Sequence, residues 1–180
     1  MLRKFKHWLN PVSGISEPGI LFESQPLHFE QMVCQLRRAT SDDIEALLAI
    51  ERACYDGQMP WNRFAFLNEL RKTKQHLYLV VEQEGQVIAF IGSWFSLAEA
   101  HITNFAVDPQ YQNQHLGRQL LQVMEKTALD FGSDQLSLEV RANNEAAKHL
   151  YRSFGFKDGA IKKAYYTLDH EDALDMWKQI

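Results

Sequence analysis

Cysteine is almost missing from this chain: Cys34 and Cys54 are the only two among 180 residues. Two thiols supply neither a disulfide framework nor a zinc ligand set, so no metal is expected and a reducing cytoplasm is the expected compartment. Neither has a histidine or second cysteine beside it, and both read as ordinary small residues. Long apolar runs are absent too; none approaches the ~18 residues of a membrane span. The basic start MLRKFKHWLNP is not followed by the apolar core and small-residue cleavage site of a signal peptide. Net charge is small, −4 with a pI of about 6.0, which argues against a chain whose main task is to coat nucleic acid or an anionic membrane. Repeats and low-complexity segments are lacking. What is present, 46% hydrophobic and 12% aromatic residues, suffices for one well-packed domain.

Proline and glycine gather at the beginning, where Pro11, Pro18, Pro26, Gly14 and Gly19 interrupt every element. Residues 1–33 are therefore expected to be an arm and 34–180 the folded domain. Within the arm, Leu2, Phe5, Trp8 and Leu9 oppose Arg3, Lys4 and Lys6, a basic amphipathic turn that suits docking on a partner or a membrane surface, the alternative being a loosely ordered tail that packs one or two aromatics on the domain.

The domain reads as β, α, α, β, β, β, α, β, α, β, β: about seven strands and four helices. Thr40 to Asp43 supply a cap and acidic first turn for helix one, and Pro60 is expected to start helix two, with Trp61, Phe64 or Ala65, and Leu67 on its apolar face. Strands over Leu77–Glu82, Val87–Phe95 and Ala100–Val107 are expected to form a meander.

The organising stretch is AHITNFAVDPQYQNQHLGRQLL, from Ala100 to Leu121. Strict alternation places Ala100, Ile102, Asn104 and Ala106 on one face of a strand and His101, Thr103, Phe105 and Val107 on the other. Asp108-Pro109 ends it, and Leu116, Leu120, Val123, Met124, Thr127 and Phe131 then recur at helical spacing, closed by Gly132. A loop that opens onto a helix N-terminus with free N–H groups is an anion site, with phosphate its usual occupant. Downstream, a strand from Gln135 to Val140 precedes a helix capped by Asn143 or Asn144, carrying Ala147, Leu150, Tyr151 and Phe154 on one face. Taken from the residues alone, Glu139 is as well explained as a rim ion pair with Arg141, and Tyr151 fits a buried aromatic stripe.

VDPQYQNQHLGRQLL, LSLEVRANNEAAKHLYRSFGF, AYY and EDALDM together resemble the GNAT N-acetyltransferases from about Leu36 to Met176, and within them the RimI type, which acetylates the N-terminal alanine of a small-subunit ribosomal protein. The resemblance implies an α/β (α+β) fold with a mixed sheet, a splayed cleft and four flanking helices. It implies acetyl-CoA as co-substrate and a protein N-terminus, ribosomal in origin, as partner, without direct contact to nucleic acid. The alternatives are acetylation of a lysine or small amine, or a degenerate acetyl-CoA-binding module.

By the same resemblance, Phe105, Ala106 and Val107 pair through backbone with pantetheine, and the loop Gln112, Asn113, Gln114, His115, Leu116, Gly117 and Arg118 holds the pyrophosphate. The family's loop pattern has glycine where His115 stands. Asn144 is placed on the pantetheine, Glu139 as general base and Tyr151 as proton donor to the leaving thiolate. Two aromatic regions, Tyr55 to Trp61 and Tyr165-Tyr166, are candidates to hold the acceptor.

Overall fold

The computed structural model describes residues 20–55, 57, 60–72, 74–167 and 169–180. Eight strands form one sheet: β1 (Gln25–Phe29), β2 (Met32–Arg38), β3 (His76–Gln83), β4 (Gln86–Phe95), β5 (Ala100–Val107), β6 (Gln135–Arg141), β7 (Lys157–Lys162) and β8 (Ala173–Gln179). Their spatial order is β1-β2-β3-β4-β5-β6-β8-β7, antiparallel throughout except for the parallel β5–β6 pair. That pair requires a crossover, which α3 (Leu116–Phe131) provides. The meander expected over β3, β4 and β5 is present, and β2 pairs antiparallel with β3 beside it.

The sheet has one strand more than expected, and the boundary placed at residue 33 falls inside a hairpin. Gln25–Phe29 pairs antiparallel with β2, and Phe29 is buried. Pro26 argued against a strand there, yet β1 is an edge strand, where a residue without an N–H costs no ladder bond on its open side. The amphipathic turn of Leu2 to Leu9 lies outside the described residues.

Helices α1 (Ile44–Cys54) and α2 (Arg63–Leu70) cover one face of the sheet, α3 and α4 (Glu145–Phe154) the other. Thr40 is the expected cap ahead of α1, and with Asp43 it forms a capping box. The second helix begins later than Pro60: Asn62 caps it, its Oδ1 accepting the Ala65 N–H at 2.9 Å. The shifted start turns Phe66 inward, fully buried, and leaves Phe64 exposed. Gly132 closes α3 at φ 92° as expected.

The alternation expected along β5 is broken in the middle. Ser93 pairs with Ile102 and Gly92 with Asn104, so Thr103 is an extra residue, a β-bulge. Ala100 and Ile102 face α3 and α4, but beyond the bulge it is Phe105 and Val107 that pack there, while Ala106 joins the α1–α2 side. Gly92 permits this crowding: a Cβ on it would lie 2.3 Å from the Tyr78 ring and 3.2 Å from the Thr103 hydroxyl.

Candidate active site

Bulge and crossover together open a wedge. β5 and β6 pair only at Ala100–Leu136, His101–Ser137 and Ile102–Leu138. Beyond Ile102 the two strands diverge, and Glu139 is the first β6 residue past the last paired position. Extended backbone along Phe105 and Ala106 therefore faces the gap rather than β6, free to pair with an inserted amide chain. The Val107 carbonyl is already engaged, accepting from Gln112 Nε2 at 2.9 Å and Cys54 Sγ at 3.2 Å.

One side of the wedge leads to the N-terminus of α3. His115 sits there at φ 64°, ψ 0° with no side-chain cap bond, and the Gln119 N–H reaches the His115 carbonyl, so Leu116, Gly117 and Arg118 carry the first-turn N–H groups that have no intrahelical acceptor. Asn113 also adopts a positive φ, 60°. Gln112 and Gln114 spend their side-chain amides bracing the loop, Gln114 on the Gln110 carbonyl at 3.0 Å. Arg118 turns toward α4, 3.3 Å from the Ser153 carbonyl and 5.4 Å above the Phe154 ring. Gly117 allows the close approach of α3: a Cβ there would meet Leu150 at 3.2 Å and Phe105 at 3.3 Å. Asn144 caps α4, its Oδ1 accepting the Ala147 N–H at 3.0 Å, which leaves its NH2 as the donating end.

The other side of the wedge is a cavity of about 400 Å³ on the α1–α2 face, walled by Trp61, Trp94, His101, Glu139, Arg141 and Tyr166 among others. Both aromatic regions singled out in the sequence contribute to it. Arg141 joins them, its guanidinium 4.2 Å above the Tyr166 ring and 5.7 Å from that of Tyr55. Arg141 does not pair with Glu139, as the rim ion-pair alternative supposed; it pairs with Asp169 and Glu171 at 2.6 Å each.

Glu139 instead meets His101, Oε2 to Nε2 at 3.1 Å, and Lys162 on its other oxygen. The His101 hydrogen bond, working against burial and helped by Lys162, pulls this carboxyl down to about 2. The imidazole continues a chain: its Nδ1 lies 2.7 Å from Ser137 Oγ, which in turn bonds Glu99, and its ring stacks on Trp94 at 5.5 Å. Burial favours the neutral ring, but hydrogen bonds and charge from Glu139 and Glu99 outweigh it and raise its pKa. His101 was not expected from the sequence. Its signal was only its place on the strand face opposite Ile102, and its partners lie 36 and 38 residues away.

Tyr151 is buried on α4, packed between Phe105 and Phe156 with ring centroids 6.4 and 5.7 Å away. Burial, with Tyr55 and Tyr166 nearby, holds its phenol well above the ordinary range, so it stays protonated. Glu69 pairs with Lys72 and His76, and Glu82 with Arg37.

An open β5 edge, an uncapped helix start and an acid–base pair at the wedge apex are joined by a sequence match. Residues 44–156 match the acetyltransferase (GNAT) family. The chain belongs to this family. This GNAT chain is 37% identical over 145 residues to a candidate ribosomal protein bS18-alanine N-acetyltransferase of Bacillus subtilis strain 168, covering 81% of this chain and 95% of that one. It is 38% identical over 136 residues to the ribosomal protein bS18-alanine N-acetyltransferase of Escherichia coli K12, covering 74% and 89%. The crystal structure of the ribosomal-protein-S18-alanine N-acetyltransferase from Escherichia coli superimposes with a TM-score of 0.70 at 35% identity, over 81% of this chain and 92% of that one. No helix among the described residues is long and apolar enough to cross a membrane.

Proposed function

We propose that this GNAT chain transfers an acetyl group from acetyl-CoA to the α-amine of a protein N-terminus, the N-terminal alanine of a small-subunit ribosomal protein. The observation that carries it is the position of the Glu139–His101 pair at the wedge apex, between the uncapped α3 N-terminus and the aromatic cavity. The relatives whose names specify such an acceptor span most of the chain.

The residues fit acetyl-CoA. Leu116, Gly117 and Arg118 amides suit the pyrophosphate, and the open backbone of Phe105 and Ala106 suits the pantetheine amides. Bound there, acetyl-CoA supplies the thioester whose carbonyl carbon the amine attacks and whose thiolate leaves as the C–N bond forms and the C–S bond breaks. Above the raised pKa of His101 the imidazole is neutral, and the Glu139–His101 pair takes the ammonium proton. Tyr151 gives the phenolic proton to the departing sulfur, and the second proton of the attacking nitrogen, shed as the amide forms, restores the phenol through solvent. An α-amine, with a pKa of about 7.7 to 8.0, costs roughly 1 kcal/mol to deprotonate at pH 7, whereas a lysine at about 10.4 costs roughly 4.6. A modest base suits the first.

Mass spectrometry of the protein incubated with acetyl-CoA and a peptide panel tests this. Acetylation at the α-amine of the alanine-starting ribosomal peptide is expected. Products on internal lysines or polyamines, or acetyl-CoA binding with no product, would overturn it in favour of the other acceptors or a binding module.

A further inference from the structure

Glu51, in the last turn of α1, is fully buried, and no lysine, arginine or histidine pairs with it among the described residues. The other buried residues of α1, Ile44, Leu47, Leu48 and Ile50, are all aliphatic. A carboxylate is a costly choice there, since an unpaired buried charge loses its hydration and an apolar residue of similar size packs as well. Burial duly raises its pKa, offset in part by two hydrogen bonds. Those bonds join three separate segments. Oε2 accepts the backbone N–H of Trp61 at 2.9 Å, in the stretch that leads into α2 and walls the cavity, and Oε1 accepts from Asn104 Nδ2 at 2.9 Å, one residue past the Thr103 bulge.

We propose that Glu51 is a positioning residue that clamps the Trp61 wall of the acceptor cavity to strand β5, fixing the distance between the bound amine and the wedge. This rests on the acetyl-transfer assignment above. Because the carboxylate holds the wall and packs no better than a hydrocarbon, its removal separates acceptor binding from stability.

Glu51→Met keeps the length and fills the volume but accepts neither bond. Its melting temperature is expected to stay within a few degrees of the wild type, since relief of the buried charge offsets the two donors left without an acceptor, while KM for an alanine-starting peptide rises about tenfold, the worth of a charge-assisted hydrogen bond. KM for acetyl-CoA is expected to stay within about twofold, and amide exchange at Trp61 to accelerate. A second pair of variants guards against misfolding. In Glu51→Gln one of the two donors meets an NH2 group, and in Asn104→Asp two carboxylates oppose each other, so each raises the peptide KM. The double variant E51Q/N104D restores complementarity, Gln Nε2 donating to the new carboxylate and Gln Oε1 accepting from Trp61, and its peptide KM returns to near the wild-type value. An unchanged peptide KM in Glu51→Met, a fall in stability with both KM values moving together, or additive defects in the double variant would overturn the proposal. If the wild type acetylates no peptide, the functional assignment fails, and Trp61 exchange in Glu51→Met still decides for or against the clamp.

Discussion

The clearest lever on the cofactor loop is His115→Gly. At φ 64° and ψ 0° the imidazole-bearing residue stands in left-handed backbone, where the Cβ crowds the carbonyl at a cost of about 1–2 kcal/mol. Glycine removes that cost but frees the unfolded chain, returning about 0.4–1 kcal/mol. The difference is a gain of between 0 and about 1.6 kcal/mol, or up to about 6 °C in Tm at about 2–4 °C per kcal/mol for a chain of this size. In the proposed binding mode the amides of Leu116, Gly117 and Arg118 set the affinity for acetyl-CoA and keep their directions, while the imidazole caps nothing and is exposed. Thermal unfolding and calorimetric titration with acetyl-CoA measure both quantities, and the expectation is equal or tighter binding together with equal or higher Tm. A tenfold loss of affinity, about 1.4 kcal/mol, would show that the imidazole itself holds a phosphate and would refute the assignment of binding to backbone alone.

Tyr151→Phe retains the ring between Phe105 and Phe156, so stability and acetyl-CoA binding hold while kcat falls by about 100-fold or more; unchanged turnover with an unshifted pH profile would remove the tyrosine from the chemistry. Because Glu139 and Glu99 raise the His101 pKa, the rate of the wild type is expected to climb with pH along a limb above about 6.5. Glu139→Gln takes away the main raising partner, so the limb moves to lower pH as kcat drops, and a limb that stays in place in a kcat–pH series would exclude the imidazole. Gly117→Ala sets a methyl against Leu150 and Phe105 at 3.2 and 3.3 Å and should destabilise by about 1–3 kcal/mol in denaturant titration; a neutral outcome would show that α3 yields readily.

Features that depend on near neighbours were legible in the sequence. The Thr40 cap, the α3 stripe closed by Gly132, the α4 stripe behind Asn144 and the alternation of β6 each follow from bonds or faces set within a few residues. The loop, Glu139 and Tyr151 came from their resemblance to a family, and the fold places them around one wedge. Strand β1 was hidden by Pro26, which only an edge position tolerates.

What tertiary structure alone decided is the site's handedness and wiring. Alternation fixes which side chains share a face only while the register is unbroken, and a single bulge at Thr103, imposed by pairing with β4, reversed the faces of Asn104 to Val107. The partnerships of His101 with Ser137 and Glu139, and of Glu51 with Asn104, join residues 36 to 53 positions apart. Sequence determined the elements and the chemistry they carry; the open gap between β5 and β6, and the residues that meet at its apex, exist only once the sheet has formed, because hydrogen-bond pairing between distant strands is what ends at Ile102.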